Sequence, residues 1–199
     1  MKNDPIRGKL INKATELFYE KGFARSSIRD IGRAAGITSA SLYYYFKNKD
    51  ELLYEIIKSI GDYLLAILDQ TVREFSDPEQ RLKHMALRQT SLLKEKKKEI
   101  KIYIEEQYQL PPRLKKIIYQ QHRKVYDTYL EVLKELSKAK RLRITHLPTI
   151  NFTMFAVMNW VYRWFKDDGD LTIEEVANMI MTILFDGIFK TDEKRGPQS

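Results

Sequence analysis

The chain of 199 residues contains no cysteine. That excludes disulfides and thiolate metal sites, and it suits a reducing, cytoplasmic setting. Its three histidines, His84, His122 and His146, lie far apart with no ligand spacing, so neither a metal site nor a histidine-based catalytic group is expected. No apolar run approaches the roughly 18 residues of a membrane span. The N-terminus, Met1-Lys2-Asn3-Asp4-Pro5, has no apolar signal region, so secretion is not expected. There is no convergent set of acids, bases or nucleophiles, so the chain reads as a non-enzyme without a cofactor. No strand pattern and no internal repeat emerge, and the expected fold class is all-α.

What the chain does have is an uneven positive charge. Residues 1–50 hold ten Lys/Arg against five Asp/Glu, a net +5 out of +8 for the whole chain. A basic excess confined to a small N-terminal unit suits an anionic polymer as partner. At 43% hydrophobic residues, the remainder is rich enough for a sizeable core.

Apolar residues recur at helical spacing over 5–21, at Ile6, Leu10, Ala14, Leu17 and Phe18. Gly22 supplies a stop in the left-handed conformation. Ser26 and Ser27 are candidate caps for a second helix, with Asp30 in its first turn. Gly32 is suited to close approach of a neighbouring helix. Gly36 and Ile37 make a turn, and Thr38 caps a short third helix running to about Tyr45. Ser39, Ala40 and Ser41 leave the start of that helix slim enough for a major groove about 12 Å wide. Leu42 and Phe46 are four apart and are expected in the core. Tyr43, Tyr44 and Tyr45 point in three directions, so some of these phenols must face outward. Two short helices about a glycine turn match a helix-turn-helix. Asn48 then caps a long fourth helix, about 25 residues or 38 Å, running to about Phe75.

In such a head, Tyr43, Tyr44, Lys47 and Lys49 would grip phosphates, with hydroxyls from Ser27 or Thr38. Base reading would fall to Ser39, Ala40, Ser41 and Tyr43, with Arg29 from the second helix. Lys49 has a second role open to it, solvating the start of the fourth helix. Tyr45 is expected to pack between head and body.

The run Asp30-Ile31, Ala35-Gly36-Ile37, Leu42-Tyr43-Tyr44-Tyr45-Phe46, Lys47-Asn48-Lys49 and Glu51-Leu52 resembles the DNA-binding signature of the TetR family of bacterial transcriptional regulators. The resemblance covers about residues 6–55. It implies a homodimer of nine or so helices per chain, with an N-terminal head on palindromic double-stranded DNA and a C-terminal body that binds a small effector. Ala40 stands where many members carry glycine. The expected organisation is a head at 1–50, an effector-binding and dimerisation body at 51–190, and a polar tail at 191–199.

In the body, helices are expected over 78–94, 99–109 and 113–138, separated by a solvated charge run at Lys94–Glu99 and by Pro111-Pro112. The stretch from Lys138 to Arg143 reads as a basic loop. Residues 150–165 are apolar on nearly all sides, so that helix should be buried on more than one face. Thr172 caps a last helix with a stripe of Ile173, Val176, Ile180, Ile183, Leu184 and Ile188. The family resemblance implies that these last two helices form a four-helix bundle with the partner subunit. Asn159-Trp160-Val161-Tyr162-Arg163-Trp164-Phe165 also resembles the C-terminal helix of TetR-type repressors of lipid and fatty-acid breakdown, which release DNA on binding acyl-coenzyme A. That second resemblance implies a long-chain acyl-CoA effector. Its chain would lie along Met85, Leu92, Tyr103, Phe155 and Met158, with Trp160, Arg163 and Trp164 at the coenzyme A end. Nearby acids pairing with Arg163 are an alternative. Two other readings stay open: a sensor of hydrophobic drugs controlling efflux, and a helical scaffold with no DNA role.

Overall fold

The computed structural model describes residues 4–188; the expected polar tail at 191–199 lies outside them. Among the described residues there are nine α-helices and one 3-10 turn, with no extended strand. The helices are α1 (Pro5–Lys21), α2 (Ile28–Ala35), α3 (Ser39–Tyr45), α4 (Lys49–Glu74), α5 (Pro78–Ser91), α6 (Leu93–Glu105), α7 (Pro112–Lys138), α8 (Leu147–Trp164) and α9 (Ile173–Ile188). They group into two compact units. One runs through Leu64 and takes in Glu95–Arg123; the other comprises Leu65–Lys94 and the chain from Lys124 onward.

The caps in the first unit follow from residue chemistry. Asp4 accepts the Ile6 N–H at 2.8 Å, and Pro5 occupies the first helical turn, where no N–H is needed. Ser27 and Asp30 form a reciprocal capping box on α2, whereas Ser26 donates instead to the Gly22 carbonyl at 2.9 Å. Thr38 accepts the Ser41 N–H at 3.2 Å on α3, and Asn48 accepts the Glu51 N–H at 3.0 Å at the start of α4. Gly36 ends α2 in the left-handed region (φ 66°, ψ 34°). Gly22 differs from expectation: at φ 80° and ψ 156° it is positive in φ but extended in ψ, a region open essentially to glycine alone.

The core of this unit joins Leu10 and Phe18 of α1, Ile31 of α2, Leu42 of α3, Phe46, and Leu52, Leu53 and Ile56 of α4. It also takes in Ile102 of α6, Leu110, and Ile118 of α7. Gly32 permits the α2–α3 approach, since a β-carbon there would stand 3.0 Å from Leu42 Cδ1.

The charge run at Lys94–Glu99 was expected to be a junction between helices. The junction is there, narrowed to one residue: two helical segments meet at Lys96, whose backbone is non-helical (φ −125°, ψ 25°), and the rest of the run is helical within α6. Lysine and glutamate favour helix and pair at i,i+3, as Lys96 and Glu99 do at 3.6 Å. The helix before it therefore stops at Ser91, and α6 stops at Glu105, ahead of a 3-10 turn at Gln107–Gln109.

In the second unit, α5 packs against α8 and α9, and α8 against α9. Leu82, Met85, Tyr129, Leu133, Met154, Val161 and Met181 are buried there. Arg81 forks onto both oxygens of Glu135 at 3.0 Å. In the expected basic loop, Arg141 binds Asp77 at 2.7 Å and also Glu79. Within the described chain α8 is not buried on all sides: Phe152, Trp160 and Trp164 face outward. Ile183 of α9, expected in the buried stripe, is 73% exposed, because Met181 and Leu184 face the core instead.

Candidate DNA-binding head and effector region

α3 has seven residues, too few to be stable alone. Leu42 and Phe46 anchor it in the core. At 100° per residue, Ala40 and Tyr44 then lie opposite Leu42, with Tyr43 and Ser39 on the flank between, and all four are exposed. Tyr44 is more open than Tyr43, at 80% against 48%, with its ring edge-on to Tyr45 at 5.1 Å. Arg29 and Lys47 are also exposed, and Ser41 is half-buried. Thr38 and Ser27 are exposed, but both hydroxyls already serve caps, and Ser27 also donates to Asp30 at 2.5 Å. That bond, the largest influence on it, holds the Asp30 carboxyl below the usual carboxylate range.

Lys49, one of the expected grip, points inward, and so does Tyr45. Lys49 donates its ammonium to the Phe23 carbonyl at 3.1 Å and the Ser26 carbonyl at 3.3 Å, over the Phe23 ring at 4.2 Å. It thereby ties α4 to the α1–α2 loop. Tyr45, expected between head and body, instead donates its hydroxyl to Asp4 at 2.8 Å within the head. Asp4 thus joins the start of α1 to the end of α3. The Asp4-Pro5 pair is a readable helix start, but a partner 41 residues away leaves no sequence signal. Two contacts were also missed, one from α6 and one from the residue just after it. Glu106 accepts the Phe23 N–H at 3.1 Å, and Lys101 donates to the Tyr19 carbonyl at 3.3 Å.

The expected effector residues divide into groups. Met85 and Met158 are buried in the second unit, with Leu92 half-buried. Phe155 is also half-buried and meets Tyr129 edge-on at 5.1 Å. Tyr129 donates its hydroxyl to Gln89 at 3.1 Å, and Gln89 donates to Asn159 at 3.4 Å. Trp160, Arg163 and Trp164 lie on the exposed arc of α8, with the Arg163 guanidinium 5.0 Å from the Trp160 ring centre. Tyr103 belongs to the first unit, where its ring lies 4.9 Å from that of His122. Burial pushes the Tyr103 hydroxyl up and the His122 imidazole down. A cleft of about 520 Å³ between α4 and α7, lined by Leu65, Ala66, Asp69, Lys124, Asp127, Thr128 and Glu131, contains none of these residues. Among the described residues no group of His, Asp or Glu is arranged to hold a metal, and no helix is long and apolar enough to cross a membrane.

Comparison with known proteins agrees with this architecture. Residues 10–56 match the family described as bacterial regulatory proteins, tetR family, and residues 76–188 match the tetracyclin repressor-like C-terminal domain. The chain is 27% identical over 187 residues to the HTH-type transcriptional repressor KstR2 of Mycobacterium tuberculosis, covering 92% of this chain and 93% of that protein. The structure of the ketosteroid transcriptional regulator KstR2 of that organism superposes with a TM-score of 0.87 at 24% identity, over 95% of this chain and 97% of that one. AibR in complex with isovaleryl coenzyme A and operator DNA gives a TM-score of 0.84 at 25% identity, over 92% and 100%. The chain belongs to the TetR family of bacterial regulatory proteins, and it is a DNA-binding transcriptional regulator rather than an enzyme.

Proposed function

We propose that the protein is a repressor that binds a palindromic operator as a homodimer and releases it on binding a fatty acyl-CoA, so controlling genes of fatty-acid degradation. The head is assigned to residues 1–50 and the effector and dimer body to 51–190. The DNA grip consists of Tyr43, Tyr44 and Lys47, with Ser39, Ala40, Ser41 and Arg29 toward the bases. The dimer face is the exposed arc shared by α8 and α9, where Phe152, Met179 and Ile183 leave large apolar groups uncovered. Exposed apolar area on this scale calls for a partner surface.

The observation that carries the effector reading is the likeness to AibR, which holds isovaleryl coenzyme A together with operator DNA. Arg163 beside Trp160 supports it, since a planar cation and an indole suit a nucleotide's phosphates and base. The α4–α7 cleft fits poorly, because Asp69, Asp127 and Glu131 would repel phosphates. The likeness to the ketosteroid transcriptional regulator KstR2 favours a second reading, in which the effector carries a rigid polycyclic skeleton. In either case the ligand must favour the released state. Reversing a 99:1 occupancy needs about 10⁴-fold differential affinity.

The test uses an operator selected by the protein from a random duplex pool. Palmitoyl-CoA, isovaleryl-CoA, a CoA thioester of a steroid acid and free CoA are titrated against the complex. Release by micromolar palmitoyl-CoA supports the first reading, and release by the steroid thioester alone moves it to the second. No release by any thioester overturns both.

A further inference from the structure

α4 carries a glycine in its interior, Gly61, where alanine would make a more stable isolated helix. The reason for glycine lies on α7. A β-carbon at residue 61 would overlap the carboxamide of Gln121 outright. The Gln121 side chain is buried in the gap that the glycine leaves. Its Nε2 donates twice, to the Lys58 carbonyl at 3.1 Å and to Asp62 Oδ1 at 2.8 Å. Asp62 Oδ2 in turn accepts from the Lys58 ammonium. The Gln121 Oε1 is buried without a donor. A single nitrogen with two N–H groups, at the length of a glutamine, is what these two acceptors require. Asparagine is too short, and methionine or glutamate has no N–H to give.

This assembly grips one turn of α4, at residues 58–62. One and two turns earlier, α4 gives Ile57, Ile56, Leu53 and Leu52 to the core that also holds Leu42 and Phe46. Rotation or sliding of α4 against α7 is therefore transmitted to α3. α7 continues unbroken from Pro112 to Lys138, so its residues serve both compact units.

We propose that Gln121 is a positioning residue for operator binding. It fixes the rotation and height of α4 on α7 and thereby sets where each head of the dimer presents α3. The inference rests on the dimeric reading above, because one head has no spacing to set. Gln121 acts through α4 and touches no DNA itself.

The experiment compares wild type, Gln121→Met and the double variant Gly61→Ala/Gln121→Ala. Methionine keeps the length and removes both donors. The double variant removes the gap and its occupant together, so the clash of Gly61→Ala alone does not arise. Each protein is measured on the operator that wild type selects from a random duplex pool, on an unrelated duplex of equal length, and by sedimentation. Both variants are expected to remain dimers and to keep wild-type affinity for the unrelated duplex, where phosphate contacts dominate. On the selected operator they should lose about tenfold or more, within the usual range of a coupling between distant sites. Wild-type operator affinity in Gln121→Met overturns the proposal. An equal loss on both duplexes also overturns it, since that marks general damage to the head. A monomeric wild type overturns the dimer reading and this one with it, whereas dimers with unaltered operator affinity overturn this one alone.

Discussion

Replacing Lys49 by methionine keeps the aliphatic stem and removes the ammonium. In the structure that ammonium donates to the Phe23 and Ser26 carbonyls and sits 4.2 Å from the centre of the Phe23 ring. A hydrogen bond involving a charged group contributes about 1.5–3 kcal/mol, and a cation over a partly exposed ring about 0.5–1 kcal/mol. Lys49 is half-buried, so both carbonyls can turn to water once the ammonium is gone, and the contributions are not additive. A net loss of about 1–2 kcal/mol follows, at the low end of those ranges. For a chain of this size that lowers the melting midpoint by about 2–8 °C. Thermal unfolding at fixed protein concentration measures this, because dimerisation makes the midpoint depend on concentration. Operator binding over a salt series supplies the contrast. A lysine that neutralises a phosphate contributes about 0.9 to the slope of log K against log salt. If Lys49 braces the α1–α2 loop, the midpoint falls and the slope is unchanged. An unaltered midpoint with a slope shallower by about 0.9 per head would refute the structural role and return Lys49 to the DNA.

Tyr44→Ala should weaken operator binding roughly tenfold or more, at about 1 kcal/mol per lost phenol bond and two heads per dimer, with the helical circular dichroism unchanged. Wild-type affinity in a mobility assay would sink this assignment. Tyr45→Phe should destabilise the head in a pH-dependent way. The Tyr45 hydroxyl, then the Ile6 N–H, hold Asp4 below its ordinary value of 3.8. The stability gained is complete above that ordinary value and is lost as pH falls through the lowered folded one. The gap between wild type and variant should therefore close in strong acid, and a gap that stays constant from neutral pH downward contradicts the linkage. Ile183→Glu places a charge on the exposed arc of α9 and should give a monomer that has lost specific operator binding. A dimer mass by sedimentation equilibrium would show that the subunits meet elsewhere.

The features legible in the sequence were those whose physics is local. Thr38, Asn48 and Thr172 each cap the helix they precede, because capping depends on residues three positions apart. Leu42 and Phe46 could be assigned to the core from their spacing, and Tyr44 to the surface from its neighbours. The Lys94–Glu99 run reads as a junction between helices, and the break is narrower than the run, a single non-helical residue at Lys96. Lys49 illustrates a second limit. A lysine beside a DNA-reading helix resembles a phosphate ligand until its two carbonyl partners, 23 and 26 residues away, are known. Tyr45 with Asp4, Glu106 with Phe23, and Gln121 with Lys58 and Asp62 have the same character. Trp160 and Trp164 read as contacts for the coenzyme A end of an effector, and in the described chain both stand exposed. Periodicity identifies faces of α8, but it does not say whether this chain or another one covers the second face.

The placement of Ile102, Leu110 and Ile118 among the core residues of the first unit bears on how such regulators can be recombined. A fragment ending at the close of the recognised head, near residue 56, would leave Phe18, Phe46 and Ile56 without the apolar groups that α6 and the start of α7 supply. It would also strip the Phe23 amide of Glu106 and the Tyr19 carbonyl of Lys101. Grafting a new DNA specificity onto this protein, or moving its own onto a relative, therefore calls for two separate stretches of chain to be exchanged together. The unit of inheritance for operator choice is spatial, and a cut made at the sequence boundary would divide it.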